Sequence, residues 1–74
     1  MGEKRKRLLL EELARRVRAR RYELGFTQEQ LAEKADFHVN FIGGIERAIR
    51  NPSFTSLVFL AEALEMSPRD LVTD

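Results

Sequence analysis

Seventy-four residues, 43% apolar and 34% charged, fit one small folded unit with a modest core and not a disordered segment. The absence of cysteine excludes disulfides, zinc–thiolate sites and thiol nucleophiles. Net charge is only +1, yet residues 1–25 hold nine Lys/Arg against four Glu, while 26–74 hold four basic against eight acidic side chains. Such segregation points to a basic surface for a polyanion at one end of the fold, with a solvated helix face as the alternative.

The opening "MGEKRKRLLLEE" sets three leucines behind a basic run, too few apolar residues for a signal peptide or a membrane span. Residues 1–6 are expected as a disordered basic tail ahead of a single domain spanning 1–74. A first helix is expected over 7–24, stopped by Gly25. Its apolar positions are Leu10, Leu13, Ala14, Val17 and Leu24. Arg21 falls on the same stripe, four after Val17 and three before Leu24, and a buried charge needs a partner.

The second helix opens at "TQEQ", where Thr27 and Gln30 have the spacing of a capping box. Leu31, Ala32 and Ala35 form its inner face, and Asp36, which tolerates left-handed backbone, supplies the turn. The third helix is expected over 38–48, with Ile42, Ile45 and Glu46 on one side. Glu46 therefore faces inward, and it is the natural partner of Arg21, whose planar fork bonds a carboxylate twice. "RNPS" breaks the chain; a fourth helix over 55–65 then presents Leu57, Leu60, Ala61 and Leu64. "SPRD" starts the last helix, with Ser67 as N-cap and Pro68 in the first position. No strand is expected, so the chain reads as all-α with five short helices.

Helix, tight turn, helix over about 27–48 is helix-turn-helix spacing. With Ile42 at 0°, Arg47, Asn40 and Gly44 fall at about 140°, 160° and 200°, and Gly43 at about 100°. The outward face of the third helix is thus Asn40, Gly44 and Arg47, flanked by Gly43, with His38 and Val39 at its tip. Two adjacent glycines inside a helix each cost roughly 0.5–1 kcal/mol relative to alanine. Close approach of the backbone to a DNA groove accounts for them; simple tolerance by packing elsewhere is the alternative.

The stretch "VRARRYELGFTQEQLAEKADFHVNFIGGIERAIRNPSFTSLVFLAEALEMSPRDL" resembles the Cro/repressor (XRE-type) helix-turn-helix regulators, a class that includes controller proteins of restriction–modification systems. "TQEQLAEKA", "IER" and "NPSFTSL" carry the likeness at their relative spacing. The resemblance implies a five-helix, lambda-repressor-like fold that binds operator DNA as a symmetric dimer, third helix in the major groove. It pairs Arg21 with Glu46, as the stripes do. It also places Gln28 on DNA phosphates, and His38, Val39, Asn40, Gly43 and Gly44 at recognition positions, with the loop from Arg47 to Phe54 along the backbone. Asn40 suits adenine, Val39 a thymine methyl, and Arg47 a guanine or phosphate. Further phosphate contacts are expected from Arg20, Arg50 and Asn51, with Arg15, Arg16 and Arg18 of the first helix as additional candidates. Two departures stand out: Asp36 replaces the usual turn glycine, and Ala48 the common glycine after "ER".

The fourth helix carries more apolar residues than one core stripe needs. Val58, Phe59, Ala63 and Met66 are the expected dimer patch, unless a folded-back N-terminus covers them with Leu8 and Leu9. An antitoxin-like module that covers a protein partner and also binds DNA is the alternative function, and a basic amphipathic membrane helix is a weaker one. No enzyme is expected: one histidine has no triad partners, and Glu11 and Glu12 point about 100° apart. No metal, cofactor, small-molecule ligand or membrane contact is expected, and the location expected is the cytoplasm of a bacterium, from a bacterial or phage gene.

Overall fold

In the computed structural model, which describes residues 2–72, helix α1 runs over Gly2–Leu24 and so starts five residues earlier than the apolar pattern suggests. The expected basic tail, from Gly2 on, is its first turns; Met1 lies outside the described residues. Nothing in "GEKRKR" opposes a helix: Glu3 sits in the favourable first turn, and the residues after it are good helix formers. At 1.5 Å per residue α1 spans about 35 Å, which sets the long dimension of the molecule, 35 Å.

The other helices are α2 (Gln28–Ala35), α3 (Val39–Glu46), α4 (Phe54–Ala63) and α5 (Pro68–Val72). No strand occurs among the described residues. α3 is shorter than expected at both ends. His38 caps it instead of joining it, and Ala48 leaves the helix in the left-handed region at φ 64°. α4 begins one residue early because Ser53 supplies the cap: its Oγ accepts from the Ser56 N–H at 3.1 Å. Before α5, Ser67 Oγ accepts from the Arg69 N–H at 3.3 Å, as the "SPRD" spacing suggests.

α3 packs on both α1 and α2, α4 on α2 and α5, and α5 returns to α1. One shared core results, built from Leu13, Val17, Leu31, Ala32, Ile42, Ile45, Leu60, Ala61, Leu64 and Leu71. Most of these are the stripe positions of the sequence. Leu10, Leu24 and Leu57 reach only the half-buried margin.

The arginines of α1 fasten this arrangement. Helix C-termini leave carbonyls without partners and carry partial negative charge. Arg18 donates to the Glu46 carbonyl at the end of α3. Arg20 donates to the Leu64 and Glu65 carbonyls just past α4, at 2.9 and 3.2 Å. Arg16 donates to the Asp70 carbonyl in α5 at 3.1 Å. The basic helix read as a surface for a polyanion is, along this stretch, the clamp on three other helices.

Candidate nucleic-acid interface

Local chemistry fixes the entry and exit of α2. Thr27 and Gln30 form the expected capping box, side chain to backbone both ways at 3.0 and 2.8 Å. Asp36 adopts φ 61° and its N–H bonds back to Ala32 and Glu33. Three residues then separate α2 from α3, the tight connection the spacing implied. His38 Nδ1 accepts from the Asn40 N–H at 3.0 Å, so the imidazole is the N-cap of α3 and Nε2 is the nitrogen left for an outside partner. Phe37 and Phe41 meet edge to face, centroids 5.0 Å apart, and with Val39 they pack on the core margin. Val39 is therefore half-buried, while His38 and Asn40 are exposed at the tip.

Behind the tip lies the ion pair. Arg21 Nε and Nη2 donate to Glu46 Oε2 and Oε1 at 2.6 and 2.9 Å, both side chains under one-tenth exposed. Arg21 Nη1 also reaches the Phe26 carbonyl at 2.9 Å. The Glu46 carboxylate beside it raises the guanidinium's pKa further, so Arg21 stays charged. Gln28 joins the pair: its Nε2 donates to Glu46 Oε1 at 3.0 Å. The side chain expected on phosphate is thus half-buried and tied inward, which leaves the start of α2 oriented by the same carboxylate that orients α3.

The two glycines differ most from expectation. Neither is open on the surface; both are buried. A Cβ on Gly43 would meet Arg47 Nη1 at 3.1 Å and Gln28 Oε1 at 3.8 Å. A Cβ on Gly44 would overlap Arg50 Cγ and lie 3.4 Å from Arg50 Cβ and Nε. The outward face computed from helical spacing is the right side of α3, but side chains from the following loop lie across it. Helical periodicity describes one helix and says nothing about what folds over it.

Arg20, expected on phosphate, has its guanidinium on the Leu64 carbonyl just past α4 at 2.9 Å and on Glu23 at 3.4 Å. Arg15 bonds Glu12, as does Arg16 at 2.8 Å, which holds the Glu12 carboxyl down at about 2. Sequence reasoning missed the roles of Arg18 and Arg20 at the ends of α3 and α4 because those acceptors are carbonyls 28 and 44 residues away. By contrast, no carboxylate or carbonyl among the described residues engages Arg47 or Arg50, and both are exposed. Asn51 is exposed too, in a shallow groove with Arg5, Lys6 and Leu9.

On α4, Phe59 is 47% exposed, while Val58, Ala63 and, just past the helix, Met66 are half-buried and the last two pack on the core. Leu8 and Leu9 do not fold back over them; they stay exposed on the first turns of α1. The most exposed large apolar residues are elsewhere: Phe54 at 78%, Tyr22 at 68% and Ile49 at 66%. Among the described residues no cluster of His, Cys, Asp or Glu has the makings of a metal site, and no helix is long and apolar enough to cross a membrane.

The helix-turn-helix family profile matches residues 17–71. The chain is 43% identical over 61 residues to the control protein C.SmaI of Serratia marcescens, covering 82% of this chain and 73% of that protein. Its structure is similar to the restriction–modification controller protein C.AhdI of Aeromonas hydrophila, with a TM-score of 0.82, 37% identity, and 84% and 94% of the two chains covered. It is similar also to C.Esp1396I bound to a 19 base pair DNA duplex, with a TM-score of 0.79, 36% identity, and 85% and 84% covered. C.Esp1396I has further been seen as a tetramer on a 35 base pair operator. With the five-helix fold, the α2–α3 pair and these likenesses together, the chain belongs to the helix-turn-helix family of DNA-binding transcriptional regulators.

Proposed function

We propose that this protein regulates transcription in the cytoplasm by binding operator DNA as a symmetric dimer, with α3 in the major groove of each half-site. The observation that carries the reading is the contrast among its arginines. Those of α1 from Arg15 to Arg21 are bonded within the protein, whereas Arg47 and Arg50 lie across α3 with no acceptor among the described residues. Cations left unmatched on one exposed helix face suit a polyanion. His38 and Asn40 at the tip, with Val39 beside them, then meet base edges, Asn40 being suited to adenine. Gly43 and Gly44 keep the helix surface low enough for the arginines to share it. Gln28 and Asn51 flank this face at the phosphates, Gln28 through the helix start that Glu46 orients. No catalytic step enters this reading.

One such module makes few base contacts, and two-fold pairing doubles them on half-sites about 10 bp apart. Phe59, with Val58, Ala63 and Met66, offers one apolar surface for pairing. The expected result of selecting bound sequences from random duplexes is a two-fold symmetric consensus. Failure to retain any duplex over non-specific competitor overturns the reading. Phe59→Asp, followed by analytical ultracentrifugation, tests the patch: an unchanged dimer removes these residues from the interface.

A further inference from the structure

The geometry points to Arg50 as a base-reading side chain and to Gly44 as the residue that positions it, the pair together recognising one guanine in the major groove. This rests on the DNA-binding reading and gives Arg50, expected from the sequence as a phosphate contact, a different task.

The end of α3 brings Arg50 back over the helix. Ala48, at φ 64°, reverses the chain; its N–H bonds the Ile45 carbonyl at 3.0 Å, and the Ile49 N–H bonds the Gly44 carbonyl at 3.0 Å. These are the two crossed bonds of a Schellman closure. They hold the backbone at Ile49 beside Gly44, so the next side chain, Arg50, leaves the loop against the outward side of α3. There its stem occupies the space where a Cβ on residue 44 would stand. The overlap falls on Cγ, close to the root of the side chain, so any substituent at 44 forces a different rotamer. At Gly43 the tight neighbour is the far end of Arg47, which moves at little cost, and Gln28 Oε1 is at ordinary contact distance.

Gly44 lies on the helix face that carries Asn40, about 40° further round. A helix with glycine there lacks a side chain where readout is wanted. Arg50 fills that gap from outside the helix, and its Nε lies over Gly44. Arginine's fork matches guanine O6 and N7, the most frequent specific contact in the major groove. A fork without an acceptor among the described residues, held at its root by a turn and a glycine, reaches the groove with less freedom to lose than one on a mobile loop.

The test uses the full chain and the consensus duplex selected by the parent protein. In Arg50→Ala, selection is expected to lose one guanine column per half-site. Affinity for the consensus should fall roughly tenfold, with non-specific duplex nearly unaffected. Replacing that guanine by 7-deazaguanine, which removes N7, should weaken the parent several-fold and leave Arg50→Ala unchanged. Gly44→Ala should lose the same column although alanine is the better helix former, and its thermal melt establishes that it folds. Adding Arg50→Ala to it should cost nothing more. If Arg50→Ala instead weakens all duplexes equally, lowers the salt slope by about one and keeps the consensus, Arg50 is a phosphate contact and the inference is wrong. A Gly44→Ala protein with the parent's consensus and affinity also overturns it. A parent that selects no sequence is a separate result and defeats the underlying DNA-binding reading.

Discussion

Arg21 of α1 and Glu46 of α3 meet through two nearly parallel hydrogen bonds of 2.6 and 2.9 Å in the interior, and Gln28 of α2 adds a third to the same carboxylate. Three helices thus converge on one buried charge. Glu46→Ala strands the guanidinium of Arg21 and is expected to lower unfolding free energy by about 3–5 kcal/mol in urea titration. A loss under about 1 kcal/mol would show that solvent reaches the pair. Arg21→Met with Glu46→Leu together should cost less than Glu46→Ala alone, because no unpaired charge remains.

Arg20 separates structure from DNA contact. Its bonds to the Leu64 and Glu65 carbonyls hold the end of α4. Arg20→Ala should lower stability by about 1 kcal/mol, since the guanidinium remains partly hydrated. Operator affinity and its salt slope should not change. A slope reduced by one would return Arg20 to the footprint.

Ala48 stands at φ 64°, a conformation alanine adopts at a cost of roughly 1–2 kcal/mol. Ala48→Gly relieves most of this and gives back part through the freer unfolded chain. The expected net gain is about 1 kcal/mol, seen as a higher melting temperature. A lower one would mean that the alanine methyl packs productively against α1.

Glu12 provides the pH test. Hydrogen bonds from Arg15, then Arg16, hold its carboxyl at about 2, below the ordinary 4.5. A lowered folded-state value means that the contribution is present above pH 4.5 and disappears as pH falls toward 2. Glu12→Gln should therefore narrow the drop in melting temperature between pH 5 and pH 2, modestly because the carboxylate is exposed. An identical drop in both proteins would show that the contacts do not persist in solution.

Much of this protein is legible in one dimension. The stripe of Leu13, Ala14 and Val17, the capping box at Thr27 and Gln30, and the inward-facing Arg21 and Glu46 all follow from spacings of three and four residues. So does the pairing of those two charges, because a buried cation requires a buried anion and the chain offers a matching one. These are local rules or demands of burial, and both act through residue type and period.

What only the tertiary structure decided is where the remaining side chains find their partners. Arg18 and Arg20 look alike with Arg50 in a list of cations. The first two meet helix C-termini 28 and 44 residues away, and the third does not. The glycines of α3 look bare until the turn at Ala48 lays Arg50 across one of them. Hydrogen-bond acceptors on the backbone carry no signature in residue type, and a loop's return path depends on a single dihedral angle. For that reason the separation of structural arginines from available ones emerges only when the helices are brought together.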